Sequence, residues 1–472
     1  MSKIITSFDE TKLNNGNKAN NIVTLLKSNI RTPKSWVINY KYLIKIIKKE
    51  LKIDLNKKQN DYKKIYDFLN NVPQSVYNEV LLEIVGLKEK NKDIKRFAVR
   101  SSHVYEDGKN YSFSGLFQTE LNLSNSINIT NAIFRCWRDC FTSGIRNYSK
   151  NSKIQKIIPC SIIIQEFIIT DVSGVAFRYE NEIILNSTFG MAKSIVDGET
   201  GFDSWKINNN YEILEYENTK NIINLPLFTK ANPRKGEKIC FFADNENELI
   251  VDNFNNKDTY IKALLNPKMI NTISLSNEMI KRLLDTFHDV SLKLNIPNYD
   301  IEWGIKDNEI FIFQCRDLTR KVSLCSKKDY NYLPLVSGEA TGYAYLVETE
   351  TDAKNFPDNS IIVAKNLSGP VLLATSKAVG CILESKSPLS HSAIIARELG
   401  IPAIGAVDKS EISIGSLYKI DGSNGRLELL DSNYIDIKKS KKNLSNLKQT
   451  KKTKLFLDII NQYNSDDGKI IN

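Results

Sequence analysis

Ser390-His391-Ser392-Ala393-Ile394-Ile395-Ala396-Arg397-Glu398-Leu399-Gly400-Ile401-Pro402 reads as one short helix with both of its ends marked. Ser390 is a residue type whose side-chain oxygen caps a helix start, and residues 393–399 favour helix. Gly400 suits the left-handed position at the C-terminal end, and Pro402 prevents continuation. His391 therefore falls on the first turn. A helix N-terminus offers unpaired N–H groups and the positive end of a dipole, so an anion attached to this imidazole is favoured there. The same field disfavours the imidazolium and keeps the ring a neutral nucleophile, which capture of a phosphoryl group requires. His103 and His288 are the only other histidines in the chain, so little competes for that role.

On either side of this helix, residues 361–364, 378–383 and 417–420 read as short strands, and together they make a second, smaller domain. The polar stretch 321–333, KVSLCSKKDYNYL, lacks periodicity and is the best linker. Before it the chain mixes α and β. Residues 19–27 have helical periodicity, broken by Thr32-Pro33 ahead of a strand at 36–39. Ile-rich strands follow at 162–169 and 182–185, with helices at 129–147 and 277–294. No repeat of solenoid length is present.

Residues 299–305 and 310–316 read as two strands around Lys306-Asp307-Asn308-Glu309. Alternation puts Asp300 and Glu302 on one face of the first strand and Ile301, Trp303 and Ile305 on the other. On the second strand it sets Gln314 and Arg316 opposite Phe311, Phe313 and Cys315. Joining the two apolar faces brings the polar pairs side by side. Carboxylates that hold Mg²⁺ beside an arginine that holds phosphate are what phosphoryl transfer from a nucleotide needs. The alternative is the solvated outer face of a surface hairpin. An even loop centred on Asp307-Asn308 leaves the register one residue out, so facing Glu302 with Gln314 and Asp300 with Arg316 requires an odd-numbered loop or a bulge.

With 472 residues, 41% of them hydrophobic, the chain can bury at least two cores and form two to four domains. Residues 1–13 hold no apolar segment of signal-peptide length, and no run approaches the roughly 18 apolar residues of a membrane span. A soluble, cytoplasmic protein without a membrane partner is expected. The seven cysteines, at 136, 140, 160, 240, 315, 325 and 381, form no C-x-x-C pair and no metal-ligand spacing. They read as reduced, mostly buried thiols. Half of the net charge of +10 lies in residues 433–472, which hold nine Lys against four Asp. Leu444, Leu447 and Leu455 are spaced there as on a weakly amphipathic helix. No basic stripe is interleaved with stacking aromatics, so a nucleic-acid partner is not expected.

The run from Leu389 to Gly405, with Asp421-Gly422 and Gly425, closely resembles the phosphohistidine motif of the swivelling domain in phosphoenolpyruvate synthases, pyruvate phosphate dikinases and rifampicin phosphotransferases. The pair of glycines usual just before that motif is replaced by Lys386 and Ser387. Residues 98–119, AVRSSHVYEDGKNYSFSGLFQT, resemble the ATP-grasp half of the same families, where a short strand ending in Arg-Ser-Ser precedes an acidic pair and a small-residue loop. Gly16-Asn17-Lys18-Ala19 resembles their Gly-Gly-Lys segment, with Asn17 as the substitute for glycine that best tolerates positive φ. Residues 171–177 and Phe189-Gly190 resemble the central strand region, and Asp300-x-Glu302 with Gln314-x-Arg316 matches the ATP-grasp signature. The likeness spans Gly16 to Gly425 and is weak between 206 and 277.

This resemblance implies an α/β (α+β) chain: an ATP-grasp nucleotide-binding domain at 1–320, a hinge at 321–333, a small β/β/α phosphohistidine swivelling domain at 334–432 and a Lys-rich tail at 433–472. It implies ATP and Mg²⁺, with Asp300 and Glu302 on the metal and Lys18, Arg100, Gln314 and Arg316 on the nucleotide. Arg100 offers a fork to phosphate oxygens, and Ser112, Ser114 and Gly115 let the backbone approach them. His103 takes no role. The β-phosphate is expected to pass to His391 with release of AMP and inorganic phosphate. The 40 residues from 433 on are too few for a pyruvate barrel or an antibiotic-binding domain, so the acceptor is expected to be a small molecule or to be bound by a separate protein. Two other readings stand. One is a phosphocarrier that phosphorylates its own His391 and serves a partner protein; the other is a non-catalytic ATP-binding regulator.

Overall fold

The computed structural model of the chain describes residues 4–11, 14–55, 62–104, 119–142, 159–197, 201–226, 238–240, 248–253, 260–318, 331–367, 369–385 and 390–431. It divides into two compact units, residues 1–321 and 322–472. Both mix helix and strand, in agreement with the α+β expectation.

In the first unit, five strands pair antiparallel in the order Ile5–Ser7, Ser35–Ile38, Ser161–Glu166, Phe97–Ser102, Thr119–Leu123. The Ile-rich strand is central because its side chains are apolar on both faces. Ile162 and Ile164, with Phe97 and Val99, pack under helices Tyr40–Leu51, Gln74–Lys90 and Ser126–Asp139. Ile163 and Val37 take Ala19, Ile22 and Val23 of helix Asn17–Lys27 on the other side. Leu25 of the same helix belongs to the next core, so this one helix ties two sheets together.

That second sheet has six antiparallel strands in the order Glu309–Asp317, Tyr299–Lys306, Val172–Tyr179, Glu182–Phe189, Asp203–Asn208, Ile213–Asn218. Helix Asn277–Leu294 starts at the Ser276 cap and ends at left-handed Asn295. Its Ile280, Leu283, Phe287 and Val290 cover Ile183, Leu185, Ile301 and Trp303. Each such side chain, fully buried, stabilises by about 1.5–3 kcal/mol. Period-two alternation leaves Asp300 and Glu302 on the face away from the helix. A small sheet, in the order Ile222–Pro226, Tyr260–Leu264, Glu248–Asn253, Lys238–Cys240, comes from the region where the sequence is least informative. Beside it Lys220 and Asp203 form a wholly buried pair at 2.7 Å, and Asp203 also accepts from Ser274 and Tyr216.

The second unit is a seven-stranded mixed sheet, in the order Leu333–Val336, Ala403–Gly405, Ala378–Leu383, Ser360–Ala364, Glu339–Leu346, Leu417–Asp421, Arg426–Asp431. Three of these strands are the ones read from sequence. Ala403–Gly405 is too short to show alternation, and Glu339–Leu346 is interrupted by Gly342. Residues 321–330 of the expected hinge lie outside the described residues. Its last two residues are not linker: Tyr332 N donates to Gly425 O at 3.0 Å, and Leu333 begins a strand paired with Gly405. The tail at 433–472 also lies outside the described residues. Among the described residues, no helix is long and apolar enough to cross a membrane, and Cys136, Cys140, Cys160, Cys315 and Cys381 are buried thiols outside any disulfide.

Candidate functional site

Tyr299–Lys306 and Glu309–Asp317 turn at Asp307-Asn308, both left-handed at φ 50° and 62°, as a two-residue hairpin of matching twist requires. The register runs evenly from Lys306 opposite Glu309 to Trp303 opposite Ile312. Phe313 is then an extra residue, and beyond it Glu302 faces Gln314 and Asp300 faces Arg316. An even turn plus a bulge thus produces the register that the polar pairs need. The bulge also overturns part of the expected alternation, because it resets the period of two. Ile310, Ile312 and Cys315, not Phe311 and Phe313 with Cys315, lie against Ile301, Trp303 and Ile305. Phe311 lies under the Arg31 guanidinium at 5.5 Å, and the Phe313 ring fills the space beside Gly304.

The buried charges on this face are matched. Arg316 Nε donates to Asp300 Oδ2 at 2.6 Å, and its second terminal nitrogen meets the same oxygen. Arg100 reaches in from the Phe97–Ser102 strand of the other sheet. Its Nη2 donates to Gln314 Oε1 at 2.6 Å and Glu302 Oε2 at 3.2 Å, and its Nη1 to the Phe313 carbonyl at 3.0 Å and Gln165 Oε1 at 3.3 Å. The arginines and carboxylates expected to face ligand separately are therefore bonded to one another. A buried arginine deprived of its carboxylate is costly, so this pairing is the low-energy arrangement. Arg100 Nε is buried and has no hydrogen-bond partner among the described residues, which suits a phosphate oxygen. Asp300 and Glu302 supply hard carboxylate oxygens of the kind Mg²⁺ takes together with phosphate and water. Among the described residues no group of three or more His, Cys, Asp or Glu is placed to hold a metal by itself.

Gln165 was not singled out from the sequence. Its signal is there in SIIIQE, where it is the polar residue inside an apolar run and ends up buried.

Lys18 is the second residue of helix Asn17–Lys27 and is buried. The left-handed backbone expected at Asn17 falls on Gly16 instead, at φ 86°. Asn17 is already helical, and its amide donates to Val104 O at 3.0 Å. His103 is buried, and its carbonyl accepts from Asn17 N. Ser112, Ser114 and Gly115 lie outside the described residues.

In the second unit the helix is His391–Leu399, so His391 is its first residue; its side chain lies outside the described residues. Ser390 Oγ accepts from Ala393 N at 3.3 Å and from the Ser385 hydroxyl at 2.6 Å. Ser392 Oγ accepts from Leu367 N at 2.9 Å, and Gly400 ends the helix at φ 68°. Ala393, Ile394, Ile395 and Ala396 are all buried, so this helix is enclosed on most of its circumference. Arg397 donates to Leu335 O at 3.0 Å, and burial lowers its pKa to about 10. The later motif residues shape backbone. A Cβ on Gly422 would fall 1.9 Å from Val336 O, and one on Gly425 2.0 Å from Tyr332 O. The Asn424 amide and two backbone N–H groups hold the Asp421 carboxyl below its usual range. Lys386 and Ser387 lie outside the described residues.

Residues 14–331 match the family model for the pyruvate phosphate dikinase AMP/ATP-binding domain, and residues 356–425 match that for the PEP-utilising enzyme mobile domain. The chain belongs to the pyruvate phosphate dikinase and phosphoenolpyruvate synthase family. It is 24% identical to a probable phosphoenolpyruvate synthase of Staphylothermus marinus, over 87% of this chain and 55% of that protein. It is 26% identical to the phosphoenolpyruvate synthases of Aeropyrum pernix and Aquifex aeolicus, over 72% and 77% of this chain and 44% of each of those proteins. The chain spans about half the length of the curated relatives it matches. In this dikinase-family chain the Asp300–Arg316 cluster falls in the AMP/ATP-binding match, and the His391 helix falls in the mobile-domain match.

Proposed function

We propose that the chain is an ATP-dependent phosphotransferase of the dikinase type, which carries phosphate on His391 between ATP and an acceptor. The observation that carries this reading is the bulged register that sets Asp300, Glu302, Gln314 and Arg316 on one sheet face, with Arg100 bridging to them. Asp300 and Glu302 would hold Mg²⁺, which when bound offsets phosphate charge. Lys18, Arg100, Gln314 and Arg316 would hold the nucleotide, with Arg100 Nε the donor in reserve. Release of AMP and phosphate requires that both anhydride bonds break. A ring nitrogen of His391 forms an N–P bond at the β-phosphorus, and the electron pair of the bond to the α-phosphate oxygen leaves on AMP. Water takes the γ-phosphoryl group as inorganic phosphate. The helix N-terminus favours the anion then carried by His391.

The acceptor is a small molecule or is presented by a separate acceptor-binding protein. The name of the relatives, phosphoenolpyruvate synthase, makes pyruvate the first acceptor to assay. Incubation with Mg²⁺ and ATP labelled in the β-phosphate tests the first half-reaction. The protein is expected to take up acid-labile, base-stable label with AMP as the product. His391→Ala is expected to abolish the label and keep ATP binding. Conversion of ATP to AMP and a phosphorylated product by His391→Ala at the wild-type rate would mean direct transfer without a phosphohistidine.

A further inference from the structure

We propose that Ser102 is the positioning residue for Lys18: from a strand 83 residues away in sequence, its hydroxyl supplies the N-cap that helix Asn17–Lys27 lacks. The inference rests on the reading of Lys18 as a nucleotide contact. A capping side chain accepts from the second or third helical N–H. Gly16, at the cap position, has no side chain with which to do so. Ser102 Oγ instead accepts from Ala19 N, the third helical residue, at 2.9 Å. Two more bonds fasten the same helix end to the residues that follow the strand. Asn17 N donates to His103 O at 3.2 Å, and Asn17 Nδ2 donates to Val104 O at 3.0 Å.

Gly16 is what allows this approach. A Cβ there would fall 2.3 Å from the Ser102 carbonyl oxygen, and its φ of +86° is one that other residues rarely adopt. Lys18 thus lies between two residues, Asn17 and Ala19, that are both bonded to one strand end. Arg100 and Ser102 are two residues apart on that strand and share a face. Arg100 enters the charged cluster while Ser102 holds the helix start, so the Arg-Ser-Ser motif sets the separation between two cations, one of which it does not contain. Ser102 is 1% exposed, so it is not itself placed to meet solvent.

Calorimetric binding of β,γ-imido-ATP with Mg²⁺ to the full chain tests this. Ser102→Ala is expected to weaken binding by up to about five-fold, the limit in which all of the N-cap's stabilisation goes into holding the helix start that carries Lys18, and Ser102→Thr, which keeps the hydroxyl, to recover most of that loss. In a Lys18→Ala background the same Ser102→Ala change is expected to add less than two-fold, because no cation is left to position. An undiminished loss in that background, or wild-type binding by Ser102→Ala, overturns the proposal. Amide exchange on the unaltered protein gives a reading that needs no variant: the Ala19 N–H is expected to be protected, and free exchange there overturns the cap. Failure of the unaltered protein to bind the analogue at all overturns the nucleotide reading and this inference with it.

Discussion

The two units solve the problem of placing reactive groups in opposite ways. Around His391 the residues that set the helix ends are neighbours in sequence: Ser390 caps and Gly400 terminates within 11 residues of chain, and only the anchors of Ser392 to Leu367 and Arg397 to Leu335 reach further. In the first unit the cluster draws Arg100, Gln165, Asp300, Glu302, Gln314 and Arg316 from four strands of two sheets. Local caps act independently and each contributes little. Buried charge pairs are mutually dependent, and the loss of one leaves the other exposed to the full cost of burial. The charged face of the first unit should therefore be fragile and non-additive, and the His391 helix tolerant and additive.

The largest expected break is Arg316→Ala. It strands the Asp300 carboxylate, whose side chain is 6% exposed, and should destabilise the first unit by about 3–5 kcal/mol in denaturant titration, along with loss of nucleotide binding. Stability separates from function in the double change Asp300→Leu with Arg316→Met. Apolar replacement of both partners should recover most of that loss while nucleotide binding stays absent, and a double variant no more stable than Arg316→Ala would refute the account of the pair. Mutual dependence can also be read with the charges kept. Arg100→Lys keeps the cation but not the fork that serves Glu302, Gln314, Gln165 and the Phe313 carbonyl, and its nucleotide affinity should fall about ten-fold or more.

Effects in the second unit should be smaller. Ser390→Ala removes a cap and the acceptor of the Ser385 hydroxyl, which is expected to cost about 1–2 kcal/mol. Gly400→Ala puts a side chain at φ 68° where nothing crowds it, so the cost is conformational alone, about 1 kcal/mol. The two changes lie at opposite ends of one helix and should add to within about 0.5 kcal/mol. A marked departure from additivity would show that the helix is coupled as the charged face is.

Legibility follows the same division. Helix Asn277–Leu294 is read from the sequence to the residue, because its cap, its apolar stripe and its left-handed terminator are all local. The His391 helix is read almost as well. The polar face of the hairpin is also legible, since alternation places Asp300 with Glu302 and the register arithmetic demands an odd-numbered loop or a bulge, of which the structure has the bulge. What alternation could not show is which residue bulges, so the faces of Phe311 and Phe313 were misassigned. Gln165 is given no role by the sequence, and Ser102 is read only as part of the Arg-Ser-Ser strand end, because a polar residue in a strand has no local signature of what it will meet.

By itself the sequence determined the mixed α and β character, the family, the His391 helix and the identity of the charged residues. Each of these is written in neighbours or in a fixed period along the chain. Only the tertiary structure decided the partners: that Arg100 bonds Glu302 and Gln314 across two sheets, that Arg316 is held by Asp300, and that Ser102 caps a helix 83 residues away. Hydrogen bonds and ion pairs act over about 3 Å in space regardless of separation in sequence, so they become readable only once the apolar faces have packed and brought the strands together.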